Sequence, residues 1–152
     1  DSLAMEVDEE KFYNYRYGGG TTCSSALKFI QKQFENRYPP QKWNIYVFYF
    51  TDGDNWGEDN QVFINTLKES FPEKDINLVG ITQILPYNYT NSVKYHVDKA
   101  LESGELDKNN IRTTEINFGN GNPNDPNMRD DEIRNNQILD AIKNLMGNQK
   151  SK

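Results

Sequence analysis

The sequence predicts an α/β fold in three layers, a mainly parallel sheet with helices on both faces. Three observations predict it. Apolar runs of strand length alternate with stretches whose apolar residues recur every three or four positions. That alternation is the pattern of parallel strands joined by right-handed crossovers. The run 43–50 (WNIYVFYF) has no polar alternation, which is the mark of a strand covered on both faces. Polar, glycine-bearing loops at 18–22 and 51–56 stand where strands and helices should meet.

The elements follow in order. Residues 3–7 read as a short strand. Residues 8–11 (DEEK) fit a helical turn or a polar loop, and the aromatic run 12–17 (FYNYRY) fits neither pattern uniquely. Three glycines at 18–20 free the backbone for a close approach. A helix over about 23–36 follows, with Leu27, Ile30 and Phe34 on its inner face and Ala26 and Phe29 alongside. Thr21 or Thr22 suits its N-cap, and Pro39-Pro40 ends it. After the 43–50 strand, a helix over about 58–70 presents Phe63, Ile64, Leu67 and Phe71. Residues 76–85 (INLVGITQIL) form the next strand. Asn91 or Ser92 caps a helix near 93–102, whose inner face is Val93, Val97, Ala100 and Leu101. Residues 111–116 read as an edge strand. The Asn/Gly/Pro-rich stretch 119–128 is a loop. A last helix over 129–147 packs on the same domain through Ile133, Ile138, Ala141, Ile142 and Leu145. Residues 148–152 are expected to fray. The main domain is thus expected over 1–118, and no internal repeat is present.

At 152 residues the chain suits one domain with a real core. Nine Tyr, eight Phe and two Trp offset a hydrophobic fraction of only 35%, because each ring buries a large area. A net charge of -6 argues against a nucleic-acid surface, which carries a basic patch. No apolar run approaches the ~20 residues of a membrane helix, and no signal peptide is visible. The single cysteine, Cys23, excludes an internal disulfide and a cysteine-rich zinc site. A reducing, cytoplasmic compartment is the natural expectation. Asn88-Tyr89-Thr90 fits the glycosylation pattern and reads as an ordinary loop. The chain starts without Met inside an apparent strand, which suggests an excerpt of a longer protein.

The loop Thr51-Asp52-Gly53-Asp54-Asn55-Trp56 carries the most chemistry. Ligands of open α/β sheets bind beyond the carboxyl ends of the strands, and Asp52 falls there. Asp-Gly and Asn also form turns on their own account. An EF-hand beginning at Asp52 fails, because Trp56 stands at its fifth position and Phe63 at its twelfth, where a bidentate Glu is required. The Gly18–Thr22 loop could hold an anion at a helix N-terminus. Its continuation Thr22-Cys23-Ser24 lacks the Gly-Lys-Ser/Thr of a P-loop. Thr21 and Asp52 together suggest part of a hard-cation site. Cys23 and His96, the lone histidine, read as a buried thiol and a helix-surface ring rather than a nucleophile and its base. A phosphatase loop is excluded because Phe29 stands where its arginine belongs. Tyr13, Tyr15 and Tyr17 read as packing, and Trp56 as an interface anchor. Acidic residues at 125 and 130–132 need only reflect the helix dipole.

Gly19-Gly20-Thr21, followed by Ala26-Leu27, resembles the threonine loop of von Willebrand factor A (VWA) domains. Phe50-Thr51-Asp52-Gly53 resembles their strand-end aspartate loop. Within that superfamily the chain is most similar to the bacterial YeaH/YhbH family. GGTTCSSAL (19–27), RYPPQKWNIYVFYFTDGDNW (37–56) and the acidic lead-in EVDEEKF (6–12) carry this likeness, which covers the first third of the chain well and is vague beyond residue 85. The resemblance implies a magnesium site in which Thr21 is a ligand, directly or through water, and Asp52 a ligand through water or a group that supports the ligands. Gly20, Asp54, Asn55 and Trp56 would form its surroundings or an interface. Oxygen ligands and retained water suit that ion. VWA domains also use an Asp-x-Ser-x-Ser motif on their first strand, which this chain lacks, so metal binding by the chain alone is expected to be weak or absent.

The expected function is a non-catalytic protein-interaction module of a cytosolic sporulation or stress-response protein. By the same resemblance its partners include a serine protein kinase with an AAA+-like core and a SpoVR-like protein. No nucleic acid or membrane is expected. The missing strand should expose a sheet edge that pairs with a second copy or with the absent segment. Two rivals stand beside this reading: a metal-dependent hydrolase or phosphotransferase using Asp52 and Asp54, and an inert structural remnant.

Overall fold

The structure, a computed structural model, describes residues 4–14, 21–85, 92–117 and 131–147. Its elements in chain order are α1 (Glu9–Asn14), α2 (Ser24–Asn36), β1 (Tyr46–Thr51), α3 (Gly57–Ser70), β2 (Leu78–Leu85), α4 (Val93–Glu102), β3 (Ile111–Asn117) and α5 (Asp131–Met146). The three strands form one sheet in the order β1-β2-β3, and both pairings are parallel. Tyr46 lies opposite Leu78 and Val79 opposite Ile111. The α/β class follows directly from these pairings.

The sheet has two unequal faces. Parallel partners point the same way, so Val47, Val79, Ile81 and Ile111 share one face. They form one cluster with Leu27 of α2, Phe63, Ile64 and Leu67 of α3, and Val93, Val97, Ala100 and Leu101 of α4. Phe71, just past α3, stacks edge-on against Phe34 at 5.5 Å. The predicted stripes of α3 and α4 are therefore all buried. Below the sheet, the buried Asn110 amide donates to the carbonyl of Phe71 at 2.9 Å and closes the loops at the amino ends of the strands. Ser92 caps α4 as expected, accepting the Tyr95 N–H at 3.2 Å.

Helix α5 covers the opposite face. Its Ala141 and Leu145 are buried, and an Arg112 guanidinium N–H donates to the Leu145 carbonyl. Leu145 lies directly over Gly80, where a β-carbon would stand 2.9 Å from its Cδ1. Glycine at 80 is thus a close-approach residue that lets the helix reach the sheet.

Four expectations are corrected. Residues 4–8 form no strand, and helix α1 follows them. The segment meets α2 through the Glu6–Arg37 ion pair at 2.7 Å rather than through a ladder. Tyr13 is exposed and, among the described residues, stacks edge-on against Phe12 at 5.3 Å, so its packing role fails; Tyr15 and Tyr17 lie outside the described residues. Ile138 and Ile142 of α5 are exposed, because the helix turns Ala141 and Leu145 to the sheet instead. Finally, β1 is not covered on both faces. Tyr46, Phe48 and Phe50 remain 41%, 43% and 57% exposed, because α5 stops short of this strand. The loop expected at 119–128 and the tail at 148–152 also fall outside the described residues.

Gly80→Val is expected to lift α5 from the sheet and to lower stability by about 1–3 kcal/mol, as overpacking does. Urea unfolding followed by circular dichroism measures it. An unchanged midpoint would mean that α5 does not dock on Gly80.

Candidate functional site at the carboxyl edge of the sheet

The two loops singled out in the sequence meet. Strand β1 ends at Thr51, and its carboxyl edge carries the Asp52–Trp56 loop directly beside the start of α2. The Trp56 N–H donates to the Thr21 carbonyl at 3.3 Å. The Cys23 N–H donates to Asn55 Oδ1 at 3.0 Å, and the Cys23 thiol faces the Asp54 carbonyl at 3.5 Å. Asn55 Nδ2 in turn donates to Asn60 Oδ1 at 2.8 Å. One hydrogen-bonded seam therefore ties the threonine loop to the aspartate loop.

The cap of α2 is supplied across this seam. Cys23 takes the N-cap position with helical dihedrals and gives no side-chain cap. The expected Thr21 or Thr22 cap is not formed. Instead the buried Asp59 carboxylate, in the first turn of α3, accepts the Ser24 N–H at 2.8 Å and also the Ser24 hydroxyl. The first N–H groups of a helix need partners and favour negative charge. Here one carboxylate serves the dipole ends of two helices, α2 and its own α3.

Gly53 shows why this loop needs glycine. Its φ is +92°, and a β-carbon there would stand 2.8 Å from the Gln83 side chain and 3.0 Å from Ser92. Its carbonyl accepts the Val93 N–H at 3.2 Å, so the loop also anchors α4. Thr51 Oγ1 accepts the Gly53 N–H, and Asp52 Oδ1 accepts the Asp54 N–H, both at 3.0 Å. These bonds fold the turn from within. They leave Asp52 and Asp54 exposed to solvent, with Trp56 65% exposed beside them.

Beneath the loop lies a buried polar pocket. Burial raises the pKa of the Cys23 thiol above its usual value; Asp59 and Asp52 add to this, and hydrogen bonds from Tyr49 and Thr51 oppose it. The Tyr49 phenol is pushed far up, first by burial and then by Cys23 and the same carboxylates. Cys23 is thus a sealed, protonated thiol rather than a nucleophile, while the His96 ring lies against Tyr95.

The structure brings Thr21, Asp52, Asp54, Asn55 and Trp56 to one edge; Gly20 lies outside the described residues. Among the described residues no three His, Cys, Asp or Glu side chains converge as a metal site. The Gln83 Oε1 atom, buried under Gly53, has no hydrogen-bond partner in the structure. Thr21, Asp52 and Gln83 carry oxygen donors of the hard kind, too few to fix a magnesium-like ion without water or an added group. Gln83 and Asp59 went unsuspected in the sequence. The one signal for Asp59 was an acidic residue in the first turn of α3.

The chain is therefore an α/β protein with a loop-built carboxyl edge, the usual place for ligands in open sheets. Residues 1–117 match the family described as protein of unknown function DUF444, and the chain belongs to that family. It is 38% identical over 100 residues to UPF0229 protein CLL_A3091 of Clostridium botulinum (strain Eklund 17B / Type B), covering 66% of this chain and 25% of that protein. It is 52% identical over 61 residues to a UPF0229 protein of Psychromonas ingrahamii, covering 40% and 14%. A UPF0229 protein of Legionella pneumophila (strain Corby) is 50% identical over 66 residues, covering 43% and 16%. The matched stretch spans about a quarter of the length of the first of these relatives. No solved structure matches the chain. Among the described residues no helix is long and apolar enough to cross a membrane.

Asp59→Ala is expected to cost about 1–3 kcal/mol, because it leaves two buried donors of Ser24 unpaired. Thr22→Ala should stay within about 0.5 kcal/mol, as surface changes do. Denaturant titration of both compares them, and equal losses would refute the cross-loop cap. A second expectation concerns pH. The native state holds the Cys23 and Tyr49 protons that the unfolded chain releases, so stability is full below the ordinary thiol value of 9.0 and declines as pH rises beyond it. The phenol adds to the decline above its ordinary 10.0. Melting temperatures from pH 7 to 11 should show the stability gap between native protein and Cys23→Ala shifting against the native protein above pH 9. A constant gap would mean that the thiol titrates normally.

Proposed function

We propose that this chain is part of a protein-docking module of the VWA type, without catalytic activity of its own. Its carboxyl edge would meet an acidic group of a partner, with or beside a divalent cation. The observation that carries this reading is Trp56. It is 65% exposed, yet its backbone is fixed on both sides, by the Thr21 carbonyl and by the Asp59 N–H that its own carbonyl accepts at 2.9 Å. A large exposed ring on a fixed backbone is the feature of an interface anchor. Asp52 and Asp54 flank it with exposed carboxylates.

Thr21, Asp52 and Gln83 are the residues that would hold the cation. Magnesium bound there would supply a positive centre with water positions open to a partner's carboxylate. By the resemblance of the loops, the partners are a serine protein kinase and a SpoVR-like protein in a cytoplasmic sporulation or stress response. The docking reading is preferred to a hydrolase because one Asp52 oxygen is engaged in folding its own turn through the Asp54 N–H.

Calorimetric titration with magnesium or manganese should show no saturation below ~1 mM, as for cation sites of low ligand count. Trp56→Ala should weaken capture of the SpoVR-like or kinase partner at least tenfold with the melting temperature unchanged. Undiminished capture would refute the anchor. Magnesium-dependent phosphatase turnover that Asp52→Asn abolishes would replace docking with catalysis.

A further inference from the structure

We infer that the group received at Trp56 is an arginine of the partner protein, its guanidinium laid on the indole and paired with the carboxylates of Asp54 and Glu58. The inference rests on the docking reading and names what its anchor meets. The residues assigned to a cation, Thr21, Asp52 and Gln83, are a separate part of the same edge.

The polar side chains of the loop divide into those that fold it and one that does not. Thr51 Oγ1 accepts the Gly53 N–H, Asp52 Oδ1 accepts the Asp54 N–H, and Asn55 Oδ1 accepts the Cys23 N–H. Asp54 enters this folding through its backbone alone, with its N–H on Asp52 and its carbonyl facing the Cys23 thiol. Its side chain is exposed and is left over. Glu58, in the first turn of α3, is exposed as well, whereas its neighbour Asp59 turns inward to cap α2. Among the described residues, the lysines and arginines that form ion pairs serve other carboxylates, such as Glu6, Asp98 and Glu102, and none reaches Asp54 or Glu58. Two acidic groups therefore stand in solvent with no cation of their own chain.

Trp56 lies between them, two positions from each. Residues two apart are at most about 7 Å apart at Cα, so both carboxylates border the ring, which is 65% exposed. This combination selects among the side chains a partner could bring. An apolar one would strip water from the carboxylates and return no hydrogen bond. A third carboxylate would be repelled. A lysine ammonium is a compact, strongly hydrated point charge. A guanidinium is planar and weakly hydrated; it stacks on an aromatic face and pairs with carboxylates through a fork of N–H donors. It alone answers the ring and the charges together. The backbone of Trp56 is already fixed by the Thr21 carbonyl and the Asp59 N–H, so little ordering is left to be lost on binding. The chain's net charge of -6 favours the approach of a basic segment.

The test needs no named partner. Random linear peptides displayed on phage are selected on the whole chain, and the clones that Trp56→Ala no longer binds are kept. These should be rich in arginine. A synthetic peptide from this set should bind roughly tenfold more weakly to the double variant Asp54→Asn, Glu58→Gln, with the melting temperature unchanged. Citrulline in place of the peptide's arginine, which keeps the plane and removes the charge, should weaken binding as much. Clones without arginine, or undiminished binding to the double variant, would overturn the arginine seat while leaving Trp56 as the anchor of another side chain. A selection with no clone that depends on Trp56 would overturn the seat and the docking reading together.

Discussion

The arrangement at the carboxyl edge rests on one carboxylate. Asp59 is buried where α2 and α3 both begin, and it binds the first donors of α2 across 35 positions of sequence. A charged group in such a place is costly unless fully hydrogen-bonded, and the two helix dipoles make it favourable. Fixing α2 to α3 fixes Thr21 to Trp56, and with them the position of every exposed group on the edge. Asn55 and Asn60 extend the same seam. The candidate site is therefore a by-product of helix capping: the groups left facing solvent are those the seam does not use.

The second constraint is the asymmetry of the sheet. Helices α2, α3 and α4 cover one face, while α5 on the other stops short of β1. Among the rings left exposed, Trp56 stands at the loop edge, and Tyr46, Phe48 and Phe50 lie along β1. They differ in kind. The first is a single ring held by backbone bonds among carboxylates. The second is a continuous apolar band beside an open ladder.

Much of this was legible because periodicity and strand-end placement are local properties. The stripe Phe63, Ile64, Leu67 and Phe71 and the Ser92 cap follow from spacing and side-chain chemistry alone. The meeting of the Thr21 and Asp52 loops followed from the rule for parallel sheets. The misreadings were non-local. Thr21 and Thr22 are good caps, but a carboxylate from another helix won the Ser24 donors. The sequence of β1 reads as doubly buried, and its composition does suit that environment; which of its neighbours are present is not encoded in it. Ile138 and Ile142 matched a helical period, yet the helix turns Ala141 and Leu145 to the sheet and leaves these two exposed. Gln83 drew no notice because nothing local distinguishes an orphaned amide.

The parallel topology has a consequence for how the chain acquires its structure. Tyr46 must find Leu78, and Val79 must find Ile111, with a whole helix formed between each pair. No hairpin provides a cheap first contact, and ladders of this separation close slowly. During synthesis β1 emerges long before β2, with an aromatic sequence and two unsatisfied edges. The interval before α3 and β2 arrive is when it is most prone to associate with other chains.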